Sequence, residues 1–233
     1  VIARCPELGA ELTSFDATAA QAQPGVVGVV ALPAGVAVVA ENFWAARSAA
    51  QLVKLEWSPG PLANKSDVSI LQEQRQQLQR DPASADYVDA DGDIEAALQA
   101  DGSTRIEAAY TTPYLVHAPM EPLNATVHVR ADGCDVWVPA QAPDIVREVA
   151  RDILGFRRHQ VHVHTTYIGG GFGRRFMWDF VTEAVEVARH FVVPVQLIWT
   201  REDDIRHGYF RQLTVHQVRG AIDPAGNILA WDH

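Results

Sequence analysis

The chain has 233 residues, of which 48% are hydrophobic and 21% charged, and this composition is typical of a globular protein. Its formal net charge of −10, with no basic stripe, argues against a nucleic-acid partner. The most apolar region, Val26 to Ala40, is interrupted by Pro33 and Gly35 and is shorter than the ~20 residues of a membrane helix. No signal peptide is visible, and because the chain opens on Val1 we expect a piece of a longer protein.

The N-terminal residues predict a compact α/β domain, residues 1–58. Two short β-branched runs, Val26–Leu32 and Val36–Ala40, flank the turn Pro33-Ala34-Gly35 and are expected to be strands. Asn42 is suited to cap a helix over residues 43–54, and residues 52–57 are expected to return to a strand.

Residues 59–104 differ in composition and predict a connector with one or two surface helices. A polar, glutamine-rich helix is expected from Val68 to Arg80, followed by Asp81-Pro82 and an acidic patch from Asp86 to Glu95. The spacing of the acidic residues suggests a calcium loop, but position 100, where such a loop needs glutamate, is alanine. We therefore expect a solvated acidic surface.

Residues 105–233 return to mixed helix and strand, so the whole chain is predicted to be α+β. The helices expected here run from Pro143 to Leu154, with Gly155 as the stop, and from Trp178 to His190. The expected strands cover residues 105–111, 124–130, 134–138, 160–168, 195–200, 212–222 and 227–231. The two cysteines, Cys5 and Cys134, lack any ligand spacing, and we expect two buried free thiols.

A glycine-rich loop separates the strand over residues 160–168 from the helix at Trp178. Its sequence, Gly169-Gly170-Gly171-Phe172-Gly173-Arg174-Arg175, exposes backbone N–H groups, and such loops between a strand and a helix commonly bind anions. It lacks the Gly-Lys-Ser/Thr ending of a P-loop and the glycine spacing of a dinucleotide-binding loop. On its own, a structural turn is about as good an interpretation.

Three motifs in order resemble one family. They are His117-Ala118-Pro119-Met120-Glu121-Pro122-Leu123-Asn124, Val138-Pro139-Ala140-Gln141-Ala142-Pro143 and the glycine-rich loop. Together they resemble the large, molybdopterin-binding subunit of the xanthine oxidase family of molybdenum hydroxylases. The Arg-Arg ending is most similar to the isoquinoline 1-oxidoreductase beta-subunit branch, also labelled membrane-bound aldehyde dehydrogenase, and residues 1–58 resemble that family's hammerhead domain.

The resemblance implies a site for a molybdenum-molybdopterin cofactor, expected in its cytosine dinucleotide form. It implies that Gln141 hydrogen-bonds an oxygen ligand of the metal and that the backbone around Phe172 and Gly173 lies against the metal centre. Arg174 and Arg175 are suited to bind phosphate, and the alternative is ordinary ion pairing with Asp179 or Glu183. No side chain of this chain is expected to ligate the metal.

The histidines give weaker signals. His117 and Glu121 are four residues apart, but the prolines between and after them argue against a helical metal pair, so we expect a supporting role. His162 and His164 alternate on one strand without a third ligand, and strand histidines with ordinary partners are the better interpretation.

Two departures from the family pattern limit the functional prediction. Purine-oxidising members have a glutamate where this chain has Phe176, which favours an N-heterocyclic aromatic or aldehyde substrate oxidised with water as the oxygen source. The family's catalytic glutamate has no match in this chain, which also lacks a flavin-binding element and a C-x-x-C-rich iron–sulfur module. We therefore expect a fragment, inactive alone, of domains 1–58, 59–104 and 105–233, with an iron–sulfur partner subunit.

Two other hypotheses remain open. One is a non-catalytic structural or binding module with the same fold and no cofactor. The other is an NAD- or nucleotide-binding domain that uses the glycine-rich loop. The resemblance implies membrane-associated and periplasmic relatives, and the cellular location of this protein stays undetermined.

Overall fold

The computed structural model describes residues 1–33, 35–79 and 89–233, and its fold is mixed α+β, as predicted. The chain forms two compact units. The first unit comprises residues 1–64 and 116–210, and the second comprises residues 65–115 and 211–233. The domain limits at residues 58 and 104 stay predictions.

The secondary-structure elements of the described residues are numbered along the chain. The strands are β1 Ile2–Arg4, β2 Glu11–Asp16, β3 Val26–Leu32, β4 Gly35–Ala40, β5 Lys54–Ser58, β6 Thr104–Thr112, β7 Asn124–Val129, β8 Cys134–Val138, β9 Val161–Thr165, β10 Val195–Ile198, β11 Thr214–Ile222 and β12 Ile228–Asp232. The helices are α1 Thr18–Gln21, α2 Phe43–Ala50, α3 Asp67–Gln77, α4 Ile94–Leu98, α5 Pro143–Leu154, α6 Asp179–Ala188 and α7 Arg201–His207.

The N-terminal part of the first unit contains two antiparallel sheets, β1-β4-β3 and β2-β5. The predicted cap is confirmed, because the Asn42 side chain accepts a hydrogen bond from the Ala45 N–H at 3.0 Å. Helix α2 ends at Ala50, before the predicted Lys54, because Val53 and Leu55 pack into the core beneath α2 as the chain enters β5. Strands β1 and β2 were not predicted.

The second part of the first unit contains a four-stranded sheet with the order β10-β7-β8-β9. Strands β8 and β9 run parallel and are connected by α5, while the other neighbours are antiparallel. Helix α5 ends at Gly155 as predicted, and this glycine has φ 70°, in the left-handed region that favours glycine. Strand β9 ends at Thr165, three residues before the predicted end.

Helix α6 covers one face of this sheet and forms the centre of the core. Phe180, Val181, Ala184 and Val185 are fully buried, and they belong to the same hydrophobic cluster as Val136. Both cysteine thiols are buried and free, as predicted. Burial raises the pKa of the Cys134 thiol to about 12.

The second unit contains the antiparallel sheet β12-β11-β6. Helix α4 packs Leu98 against Ala221 and Ala230, which is the small core of this unit. Helix α3 corresponds to the predicted polar helix and buries no residue, and a reciprocal pair of hydrogen bonds between Ser66 and Ser69 caps its start. Ala34 of the predicted turn, the predicted helix end at Arg80, Asp81-Pro82 and the start of the acidic patch lie outside the described residues.

Within the described residues, no helix combines the length and the apolarity needed to cross a bilayer. No group of three or more metal-ligating side chains occurs among them either. The solvated acidic surface stays a prediction.

Candidate cofactor-binding site

One edge of the four-stranded sheet brings the three motifs together. Gln141 follows the end of β8, and the glycine-rich loop follows the end of β9, and the carboxyl ends of parallel strands meet at the same edge. Strand β7 is antiparallel to β8, so its beginning, just after Glu121, lies there too. Segments up to about 60 residues apart in sequence therefore become neighbours through strand direction alone.

The backbone of the glycine-rich loop leaves hydrogen-bond donors unused. Gly170, Phe172 and Gly173 have φ of 97°, 53° and 88°, so the loop repeatedly enters the left-handed region, which is uncommon for a residue with a side chain such as Phe172. Among the described residues, the N–H groups of Gly170, Gly171 and Phe172 have no hydrogen-bond partner. Three consecutive free donors in such a bend form a concave surface suited to an anion or an oxo group.

Gln141 adds a further donor beside this row. Its Oε1 accepts a hydrogen bond from the Gly173 N–H at 3.2 Å. Because a backbone N–H only donates, the oxygen of the side-chain amide must face the loop, and the NH₂ group is left without a partner among the described residues. The site therefore presents hydrogen-bond donors from two different segments.

The space around the Cα atom differs among three glycines of the loop. A Cβ at Gly169 would lie 2.5 Å from the Glu121 Cβ, and one at Gly171 would lie 2.8 Å from the Gln141 Oε1. At Gly173 a Cβ would meet nothing within 4 Å. Gly169 and Gly171 therefore allow the three motifs to pack closely, whereas Gly173 lies next to open space.

Arg175 joins all three motifs from inside the protein. Its side chain is 0% exposed. Its Nε donates to the Gly170 carbonyl at 2.8 Å, and its guanidinium also donates to the Pro139 carbonyl at 3.4 Å and to the Glu121 carbonyl at 2.6 Å. Burial lowers the pKa of Arg175, and the nearby Glu121 carboxylate opposes that effect.

Glu121 is the carboxylate partner of this arginine and an anchor of the loop. Its Oε2 accepts from Arg175 at 2.9 Å and from the Gly169 N–H at 2.9 Å, while Oε1 accepts from Asn124 at 2.8 Å. The Glu121 N–H donates in return to the Gly169 carbonyl at 3.0 Å. This residue has a larger structural part than the supporting role predicted for it.

Arg174 and Arg175 point away from the open side of the loop. The ion-pairing alternative describes Arg174, whose guanidinium donates to both carboxylate oxygens of Asp179 at 2.8 and 2.6 Å. Glu183, the other partner considered, binds Arg4 instead. Direct phosphate binding by the two arginines thus stays a prediction, and the contacts in this structure hold the loop from behind.

The histidine candidates lie in three different surroundings. His117 lies 3.2 Å from the Tyr209 carbonyl through Nδ1. His164 contacts the Asp135 carboxylate at 2.6 Å and stacks on Trp137, while His162 lines a polar cavity of about 230 Å³ near the start of β9. The Asp135 carboxylate is thus the ordinary partner of His164, and the absence of a metal at the strand histidines stays a prediction.

Comparison with protein-family models identifies the chain. Residues 78–233 match the model described as molybdopterin cofactor-binding domain, which is more than half of the chain. The chain belongs to this family. Together with the relatives below, the match identifies it as part of a molybdenum-binding subunit of the xanthine oxidase family, as the three motifs predicted.

Two curated relatives illustrate the sequence similarity. The chain is 32% identical to the isoquinoline 1-oxidoreductase subunit beta of Brevundimonas diminuta, over 98% of this chain and 30% of that protein. It is 29% identical to the aldehyde oxidoreductase molybdenum-binding subunit PaoC of Escherichia coli K12, over 95% of this chain and 33% of that protein. The chain thus spans about a third of the length of these curated relatives.

The fold matches solved structures over nearly the whole chain. The aldehyde oxidoreductase of Desulfovibrio desulfuricans superposes with a TM-score of 0.79, covering 99% of this chain and 30% of that chain at 17% identity. A likeness at this identity supports the fold and extends no further.

The residues at the sheet edge where the three motifs meet fit a molybdopterin cofactor. Such a cofactor is large, flat and anionic, and its oxo and phosphate oxygens accept hydrogen bonds. The edge offers the free N–H groups of Gly170, Gly171 and Phe172, the NH₂ group of Gln141 and the open space beside Gly173. The donors and the space therefore agree with the family match.

Proposed function

We propose that this chain forms part of the cofactor-binding subunit of a molybdenum hydroxylase that oxidises an N-heterocyclic aromatic or an aldehyde, with water as the oxygen source. The observation that carries the proposal is the row of free N–H donors beside the Gln141 amide, in a chain of the molybdopterin cofactor-binding family. The names of the relatives, isoquinoline 1-oxidoreductase and aldehyde oxidoreductase, support the two substrate classes.

The protein groups in this proposal bind and orient. With the cofactor bound, the Gln141 NH₂ group would donate to an oxygen of the metal centre, and the free N–H groups of the loop would hold the cofactor beside Phe172 and Gly173. When bound, the cofactor supplies the two-electron oxidation of the substrate. Donors fixed in advance by Glu121 and Arg175 need little rearrangement on binding, which makes them more effective than mobile groups.

Several further parts of the proposal concern the whole protein. We expect the cytosine dinucleotide form of the cofactor, an iron–sulfur partner subunit that accepts the electrons, and a catalytic glutamate outside these 233 residues. The relatives are named as subunits of larger assemblies, which supports the partner. Phe176 at the position where purine-oxidising members have glutamate supports a substrate other than a purine.

Elemental analysis and pterin-nucleotide detection on the full-length gene product, co-expressed with its neighbouring subunit, test the proposal. We expect about one molybdenum per chain with a cytosine nucleotide on the pterin. A well-folded complex without molybdenum would overturn the proposal and favour the non-catalytic module. Detection of NAD instead would favour the nucleotide-binding hypothesis.

A pair of glycines provides a matched test of the loop. Gly173 and Gly226 both have φ 88°, and a Cβ at either would meet nothing within 4 Å, but only Gly173 lies in the loop. Gly173→Ala and Gly226→Ala therefore impose the same backbone strain. We expect Gly173→Ala to lower molybdenum loading while Gly226→Ala does not, and equal loading in the two variants would contradict the loop assignment. Gly170→Val is expected to abolish loading, because its side chain would press on Phe172 and Pro119.

A further inference from the structure

A buried cluster behind the glycine-rich loop connects it to the first strand of the chain. The cluster consists of Arg4, Arg174, Asp179, Glu183, Trp199 and Asp203, and it lies within the first unit. Arg4 belongs to β1 and Trp199 directly follows β10, whereas Arg174 directly follows Gly173.

Trp199 is the common neighbour of the two arginines. It is 2% exposed, and the guanidinium carbons of Arg4 and Arg174 lie 4.3 and 5.4 Å from its ring centre. Both distances are within the range of a cation–π interaction, which strengthens when the groups are removed from water. The Trp199 ring therefore contacts both Arg174, which follows the loop, and Arg4 of β1.

Carboxylates fix the positions of both guanidinium groups. Arg4 binds both carboxylate oxygens of Glu183, with Nη2 to Oε2 at 2.6 Å, and its Nε lies 3.2 Å from Asp203. Glu183 Oε2 also accepts from the Trp199 Nε1 at 2.9 Å, so the same carboxylate holds the strand arginine and the indole. Two-point pairing of this kind fixes orientation as well as distance.

Arg174 is held on one side only. Its terminal nitrogens bind Asp179, but its Nε is buried and has no hydrogen-bond partner. Contacts with the rings of Trp199 and Tyr209, each 5.4 Å from its guanidinium carbon, therefore do much to determine where this side chain lies. A shift of Trp199 would move the Arg174 side chain, and this would displace the loop backbone at Gly173 and Arg174.

From these contacts we propose that Arg4 is a positioning residue for the glycine-rich loop, acting through Glu183 and Trp199 on Arg174. Loss of the Arg4 guanidinium removes the cation that Glu183 and Trp199 share and leaves only the hydrogen bond between them. The loop then samples more conformations, and its free N–H row is less well arranged. The identity of the ligand for that row rests on the proposed function, but the contacts that link Arg4 to Arg174 do not depend on it.

Hydrogen–deuterium exchange of the full-length protein tests the connection directly. In Arg4→Met we expect the hydrogen-bonded amides of Gly169, Gly173, Arg174 and Phe176 to exchange about tenfold faster than in the unaltered protein, with α5 and the second unit unchanged. Arg4→Lys keeps the charge without the two-point geometry and should give a smaller increase. Arg47→Met is the matched control, because Arg47 lies 5.7 Å from the ring of the exposed Trp44 and should leave the loop unchanged.

A double variant shows whether the effect passes through Trp199. If it does, Arg4→Met has little additional effect on loop exchange in a Trp199→Phe background, because the two changes interrupt the same route. Faster exchange spread evenly over the first unit would mean that Arg4 only stabilises the fold, and it would overturn the inference. Unchanged loop exchange in Arg4→Met would overturn it as well.

Molybdenum content measured on the same samples separates this inference from the proposed function. Absence of molybdenum in the unaltered protein contradicts the proposed function, whereas the exchange of the hydrogen-bonded loop amides still decides the role of Arg4. If the unaltered protein binds molybdenum, we expect Arg4→Met to lower its content and Arg47→Met to leave it unchanged.

Discussion

Two clusters in the first unit have nearly the same chemistry and different surroundings. The interior cluster contains Arg4, Glu183 and Trp199, and the surface cluster contains Arg130, Asp135, Trp137 and His164. In each, a carboxylate with a side chain that is 16% exposed binds an arginine, and a tryptophan stacks on a cationic or ring neighbour.

The difference lies in the partners of the two carboxylates. The Arg4 side chain is 5% exposed, whereas the side chains of Arg130 and His164 are 38% and 47% exposed. If its carboxylate is removed, a buried arginine keeps a charge that water cannot reach, while exposed partners are simply solvated. The burial of the partners, more than that of the carboxylate, should therefore determine what each ion pair contributes.

The largest effect is expected for Glu183→Ala. The change leaves the Arg4 guanidinium and the Trp199 N–H buried with fewer partners, so we expect a loss of about 3–5 kcal/mol in the free energy of unfolding. Urea unfolding followed by far-UV circular dichroism measures it. A loss below about 1 kcal/mol would mean that water reaches the interior cluster.

An intermediate effect is expected for Glu121→Gln at the loop edge. Its side chain is 34% exposed, but it pairs with the fully buried Arg175. The variant keeps a neutral acceptor for Gly169 and Arg175, so we expect a loss of about 1–2 kcal/mol. The urea midpoint measures this loss. Asn124→Ala removes the Nδ2 bonds to Glu121 and to the Pro122 carbonyl but leaves the Glu121–Arg175 ion pair, so it should cost less. A cost for Glu121→Gln as large as that of Glu183→Ala would contradict the ranking by burial.

The surface cluster predicts a small, pH-dependent effect. Burial raises the pKa of Asp135, but hydrogen bonds from His164 and Arg130 outweigh it, so the pKa lies below its ordinary value. A carboxylate with a lowered pKa stabilises the folded state above its unfolded pKa, about 3.9, and that contribution is lost as the pH falls through the folded value.

Asp135→Asn should therefore lower the free energy of unfolding by less than about 1 kcal/mol at pH 6, and the gap should shrink towards pH 3. Thermal unfolding without denaturant at several pH values measures the size of this difference and its pH dependence. Added salt should reduce the difference in the free energy of unfolding at pH 6. A gap that widens on acidification would contradict the predicted direction of the pKa.

The smallest response is expected at Cys134. Its thiol is buried in the sheet core, and a pKa of about 12 leaves almost no thiolate at pH 8. We expect no labelling by iodoacetamide in the native protein and full labelling in 6 M guanidinium chloride, both read by mass spectrometry. Rapid native labelling would mean that this part of the core opens readily.

Much of the fold could be predicted because its signals are local. The β-branched runs of β3 and β4, the Asn42 cap and the Gly155 stop each depend on a few neighbouring residues. Strand β2 gave no such signal, since five of its six residues are exposed and four of the six are polar. It exists because it pairs with β5, and that pairing cannot be seen from either segment alone.

The sequence predicted which residues form the candidate site, but it did not predict where their side chains point. The order of three motifs indicated Gln141 and the glycine-rich loop, and strand direction explains why they meet. Sequence does not reveal on which side of a tight loop two adjacent arginines emerge, so the interior position of Arg175 could not be predicted. The part played by Arg4 was also hidden, because its partner Glu183 lies 179 residues away.

That separation has a consequence for how the protein acquires its site. The contacts behind the loop join residues that are 54 and 179 positions apart, and closing such long loops of chain costs entropy before any contact forms. We therefore expect the loop to become ordered late in folding, after the four-stranded sheet has formed. Pulse-labelling hydrogen exchange during refolding should show protection of β7 and β8 before protection of the bonded loop amides of Gly169, Gly173 and Arg174. A cofactor would then meet an ordered donor row only in a protein in which Arg4 has already reached Glu183 and Arg175 has reached Glu121.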